Sequence, residues 1–144
     1  MGAGGYTVKK GLFSVLLLLS LLLLIGCQAA PEQQLSLEET ARQYFSGPDA
    51  FIAYTAEDLE DLTGIAPDDY TEAVFLRDSD TLSGREIILV RAKDAEAFRS
   101  AKEALERYLS QRKEETRDYL PEAFHRLNQA TVEGTGMLVR LVVE

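Results

Sequence analysis

The stretch Arg85-Glu86-Ile87-Ile88-Leu89-Val90-Arg91-Ala92 decides the fold. Its four consecutive large apolar residues are mostly β-branched, and the run is too short for a helix and too apolar on both faces for an edge, so it reads as a central strand. Upstream, Thr71 to Arg77 has a similar β-branched and aromatic content, and the link Asp78-Ser79-Asp80-Thr81-Leu82-Ser83-Gly84 is turn-rich and short enough for a hairpin. Downstream, Asp94 caps the longest helix, in which Phe98, Ala101, Leu105, Tyr108 and Leu109 recur at steps of three and four until Tyr119-Leu120-Pro121 closes it. The mixed-sign face of that helix, with Glu103 and Arg107 suitably paired, reads as solvated. Pro121 suits the first turn of a further short helix carrying Phe124 and Leu127. Two last strands, Ala130 to Glu133 and Met137 to Val143, join through Gly134-Thr135-Gly136, whose Gly-X step fits a tight turn.

Two helices precede the first strand. Ser36 with Glu39 forms a capping box ahead of Leu37, Ala41, Tyr44 and Phe45 on one helical face, and Gly47-Pro48 stops the run. Thr55 with Asp58 caps a second, acidic helix with Leu59 and Leu62 as its buried positions, ended by Gly64 with Ile65 as the hydrophobic contact of the C-cap. The order ααββα(α)ββ predicts an α+β fold: an antiparallel four-stranded sheet with helices packed on one face.

The N-terminal 26 residues carry a different message. Lys9 and Lys10 form a basic start, Leu12 to Ile25 an apolar stretch, and Gly26 a small residue before Cys27. The stretch falls short of the roughly 20 apolar residues that a spanning helix needs, which favours export followed by cleavage. Leu24-Ile25-Gly26-Cys27 resembles the lipobox of bacterial lipoprotein signals, in which a diacylglyceryl group is attached to the cysteine sulfur and the chain is then cut before it. Two acyl chains suffice for stable attachment. Cys27 is the only cysteine of the chain, so its thiol is assigned to lipid and no disulfide or thiolate site is expected. The segments are then a signal peptide over 1–26, a lipidated cysteine and short tether over 27–35, and a single α+β domain over 36–144. Gln28 to Gln34 can reach only about 25 Å at about 3.6 Å per residue, which holds the domain close to the membrane. The expected location is the outer face of the bacterial cytoplasmic membrane.

Charge narrows the partners. The chain has a formal net charge of −9 and loses two lysines with the signal. No basic run is left to neutralise phosphates, so nucleic acid is excluded as a partner, and anionic headgroups and wall polymers repel the body. Candidate chemistry is sparse. Asp78 and Asp80, with Asp68 and Asp69, offer oxygen ligands, but a calcium loop starting at Asp78 would need glycine where Ser83 stands and glutamate where Leu89 stands, so a polar hairpin loop is the better reading. His125 is the only histidine and reads as a helix-surface residue. No Gly-x-Ser-x-Gly elbow surrounds any serine, and the carboxylates of 57–61 read as solvated surface. No catalytic, cofactor-binding or metal-binding residue is therefore expected, and no enzyme activity.

The run Asp58-Leu59-Glu60-Asp61-Leu62 with Gly64-Ile65, the strand entry Arg85-Glu86-Ile87, Lys93-Asp94 before the long helix, Tyr119-Leu120-Pro121-Glu122, and the ending Gly136-Met137-Leu138-Val139 together resemble the domain-of-unknown-function family 4358 over roughly residues 36–144. The resemblance implies a small Gram-positive lipoprotein and brings no assigned activity. It also implies a C-terminal helix after the last strand, whereas this sequence stops at Glu144; the expectation is an exposed apolar patch or a truncated gene. The leading functional expectation is a non-enzymatic binding or accessory module at the cell envelope, recognising another envelope protein or a wall component through an apolar patch near Phe51-Ile52-Ala53-Tyr54 or along the last strand. The alternatives are an accessory subunit of a surface-polymer modifying system using O-acyl transfer, suggested by the resemblance, and a small hydrolase with a buried, perturbed acidic or histidine residue in a concave pocket.

Overall fold

The structure is a computed structural model that describes residues 35–44 and 51–144. Leu24, Ile25, Gly26, Cys27, most of the tether, Phe45 and Gly47-Pro48 lie outside the described residues. In chain order the elements are α1 (Leu37–Tyr44), β1 (Phe51–Ala53), α2 (Ala56–Thr63), a 3₁₀ turn (Pro67–Asp69), β2 (Tyr70–Asp78), β3 (Glu86–Ala92), α3 (Ala95–Thr116), α4 (Pro121–Gln129), β4 (Val132–Thr135) and β5 (Leu138–Val143).

The strands form one antiparallel sheet in the order β1-β2-β3-β5-β4. β3 lies at its centre, and Ile87, Ile88, Leu89 and Val90 are all fully buried. Because side chains alternate along a strand, Ile88 and Val90 face one layer and Ile87 and Leu89 the other. The first layer holds Leu59, Leu105, Tyr108, Leu109 and Leu127 from α2, α3 and α4. The second holds Leu37 and Ala41 of α1, with Tyr44, Phe51, Val74, Leu76, Leu138 and Val142 packed around them.

Two expectations are corrected here. The sheet has five strands rather than four: β1 is a three-residue edge strand whose register runs Phe51 to Asp78, Ile52 to Arg77 and Ala53 to Leu76, too short to show an alternation in sequence. Helices also cover both faces rather than one, since a strand apolar on both sides must bury both, and α1 is the element that closes the second.

Local signals place most of the remaining chain. Ser36 and Glu39 exchange backbone-to-side-chain hydrogen bonds at the start of α1. Thr55 and Asp58 do the same for α2, and Gly64 ends it at φ 80°. In α2, Leu59 is buried but Leu62 is exposed, contrary to expectation. Thr63 turns inward in its place, donating to the Leu59 carbonyl at 2.6 Å, and Ile65, swung in by the glycine cap, supplies the second large side chain. The β4–β5 turn is Gly136-Met137, with Gly136 at φ 59°, later than the expected Gly134-Thr135-Gly136, while Gly134 stays within β4 beneath the Phe98 ring.

The α2 cap predicts a titration. The backbone N–H and the hydroxyl of Thr55 both donate to the Asp58 carboxylate and hold its pKa below the ordinary value. A depressed folded pKa stabilises the fold above the unfolded value, and that contribution is lost as pH falls through the folded value. The Asp58 carboxyl resonance is therefore expected to titrate below the ordinary aspartate range in a carbon NMR titration and to return to that range in Thr55→Val; no difference between the two proteins would mean that the cap does not form.

Candidate functional site

The inward phase of the central hairpin carries a charged pair where apolar residues would be expected. Arg77 on β2 and Glu86 on β3 are cross-strand partners, so their side chains leave the same face, in line with Phe75 and Ile88 toward α3. Glu86 is 1 % exposed. A carboxylate taken out of water is costly unless it is paired and hydrogen-bonded. Arg77 Nε donates to Glu86 Oε2 at 3.1 Å, and the Tyr108 hydroxyl donates to the same oxygen at 2.8 Å. The other oxygen, Oε1, stands 3.8 Å from Arg112 Nε; both of those atoms are buried and without a hydrogen-bond partner. Tyr108 and Arg112 are one helical turn apart on α3, which brings both to the same carboxylate.

Around this pair the aromatic side chains are ordered. Tyr54 stacks on Phe75 at 4.7 Å between centroids, and Phe75 meets Tyr108 edge-on at 6.3 Å. The Arg77 guanidinium lies 5.1 Å from the Tyr54 ring centre and 5.3 Å from that of Phe75, within cation–π range, and donates through Nη2 to the Tyr108 oxygen. Burial would pull the Arg77 pKa down, but Tyr108 and then Glu86 outweigh it and the net shift is upward, so the cation is fixed. Burial and, next, the Glu86 charge push the Tyr108 hydroxyl well above its ordinary value, with Arg77 opposing. That hydroxyl stays protonated at neutral pH and serves as a donor, not a nucleophile.

The arrangement is suited to contact. Glu86 has almost no surface through which a substrate could reach it, whereas Ile52, directly across from Arg77 on the edge strand, is 53 % exposed. Exposed Leu82 lies in the β2–β3 turn, at the same end of the strands, and exposed Tyr119 precedes α4. That turn is braced on α4: Arg126 Nη1 donates to the Ser83 carbonyl at 3.0 Å, and a Cβ placed on Gly84 would fall 2.6 Å from that of Ala123. Tyrosine and arginine are enriched in protein-binding hot spots, and here both stand on a rigid base.

The other candidates disperse. Asp78 accepts from the Asp80 N–H and from Arg85, and Asp80 accepts from the Leu82 N–H, so both carboxylates are engaged in shaping the hairpin turn. Asp69 pairs with Lys93 at 3.1 Å. His125 is exposed on α4 with its Nε2 2.9 Å from the Gln129 amide nitrogen. A polar cleft of about 370 Å³ at the end of β5 is lined by Tyr44, Arg126, Glu133, Arg140 and Glu144 among others. Its Arg140 is tied to Glu133 and donates to the Tyr44 hydroxyl at 2.8 Å, and the Glu133 hydrogen bond is the main cause of its raised pKa. Sequence patterning marked Tyr54 as part of an apolar patch and Tyr108 as a core position but missed the Arg77–Glu86 pair, whose signal was two charged residues in the inward phase of adjacent strands.

Comparison with known proteins found no curated protein and no solved structure that matches. A family match spans residues 52–144 and so takes in Ile52, Tyr54, Arg77, Glu86, Tyr108 and Arg112; by it, the chain belongs to the family described as Domain of unknown function (DUF4358).

Proposed function

We propose that the chain is a lipid-anchored extracytoplasmic binding or accessory module that docks another envelope protein through the β1 end of its sheet, without chemistry of its own. The observation that carries the docking half is the Arg77 guanidinium held over Tyr54 and Phe75 beside exposed Ile52. A cation immobilised by a buried carboxylate and flanked by aromatic surface gives up little side-chain entropy when a partner covers it. The address rests on Leu24-Ile25-Gly26-Cys27 and the short apolar run before it. Among the described residues, no helix is long and apolar enough to cross a membrane.

Metabolic labelling with an alkyne fatty acid in a bacterial host tests the address. Wild-type chain is expected to take up label and to lose residues 1–26, whereas Cys27→Ala takes up none and accumulates as the uncleaved precursor. Normal processing of Cys27→Ala would overturn the anchoring.

A further inference from the structure

We infer that α1 is a releasable latch: it docks the membrane-proximal segment onto the second face of the sheet, and its release lengthens the tether and uncovers that face. The inference about the latch rests on the fold; its consequence for the tether rests on the lipid-anchored reading above.

Four observations meet at α1. Leu37 and Ala41 are buried against Ile87 and Leu89, and α1 is the helix that closes this face, while the core between the sheet and α2, α3 and α4 includes no α1 residue. Its described part is eight residues, a length at which isolated helices are not stable in water, so this part is held by its docking. Among the described residues it is tied by two polar contacts: the Leu37 N–H donates to Glu72 Oε1 at 2.6 Å, and Arg140 donates to the Tyr44 hydroxyl. Finally, the family match begins at Ile52, beyond α1, and contains β2 to β5, α2, α3 and α4.

The consequence for reach follows from chain length. With α1 docked, the chain from Cys27 to Leu35 spans at most about 29 Å; with α1 released, the chain from Cys27 to Phe51 spans up to about 86 Å at about 3.6 Å per residue. Release also exposes Ile87 and Leu89 beside the half-buried Val74, Leu76, Leu138 and Val142.

Hydrogen exchange on the full, processed chain in detergent micelles tests this, with Glu72→Ala and the milder Tyr44→Phe alongside wild type. The amides of Ala41 to Tyr44 are expected to exchange at least about 100-fold faster than those of Ile88 and Leu89, through local opening. Each substitution is expected to speed them about tenfold or more while β3 and α3 amides change in common by less than about threefold. Exchange of α1 in the same slow class as β3, or a rise shared equally by both, would overturn the latch, as would fast α1 exchange indifferent to both substitutions, which would mark fraying without docking. The intact mass of the same sample reads the lipid separately: a chain lacking acyl mass would remove the tether and the address, and leave the latch to be decided by exchange alone.

Discussion

Replacing Glu86 with alanine is expected to destabilise the fold by about 3 to 5 kcal/mol, the cost typical of breaking a buried ion pair from one side. The magnitude comes from what remains. Arg77 and Arg112 each lose a carboxylate that is 1 % exposed, and Tyr108 is left with a buried hydroxyl whose acceptor is gone. Glu86→Gln keeps the volume and an acceptor oxygen for Tyr108, so it is expected to cost less. Thermal unfolding followed by circular dichroism should show Glu86→Ala lowering Tm by more than about 10 °C and Glu86→Gln falling between it and wild type. A loss under about 1 kcal/mol for the alanine variant would mean that both guanidinium groups find water at once, and that the cluster is not the rigid base argued for it.

Gly84→Ala is expected to cost about 3 kcal/mol, for two independent reasons. Its φ of 73° lies in the left-handed region that disfavours a side chain. Its Cβ would also meet the Cβ of Ala123 at 2.6 Å and the Cα at 2.9 Å, so the backbone of α4 must retreat, an overpacking cost of about 1 to 3 kcal/mol. The two parts can be separated by denaturant titration. Gly64 has φ 80° with nothing within 4 Å of an added Cβ, so Gly64→Ala carries the conformational part alone and is expected to cost about 1 to 2 kcal/mol. Equal losses at the two positions would show that the β2–β3 turn is not wedged against α4.

How much of this was legible in the sequence follows from how local each signal is. Ile87 to Val90 announced a two-sided strand, and Asp94, Thr55 and Ser36 announced three helix starts, because caps and periodicity act within a few residues. Phe51 to Ala53 could not announce itself as a strand, since three residues carry no alternation and only the partner β2 defines them. The same apolar run on β3 that fixed the central strand also required a cover on each face, and the expectation of helices on one face overlooked that requirement. Leu62 and Thr63 competed for one inward position of a two-turn helix, and the C-cap decided between them by delivering Ile65. The Arg77–Glu86 pair was legible only in part. Both residues stand in phase with buried neighbours, but which helix residues would reach them depends on how α3 crosses the sheet, a tertiary fact that no spacing along the chain contains.

The proposed docking places an envelope protein against the β1 end of the sheet. Site-specific photocrosslinking in living cells tests this, with the probe at Ile52 and, as a control, at Glu103 on the exposed face of α3. A discrete adduct of one size is expected at Ile52, lost when Arg77 is replaced by alanine in a variant shown to remain folded, with no adduct at Glu103. No adduct at Ile52, or the same adducts at both positions, would contradict it.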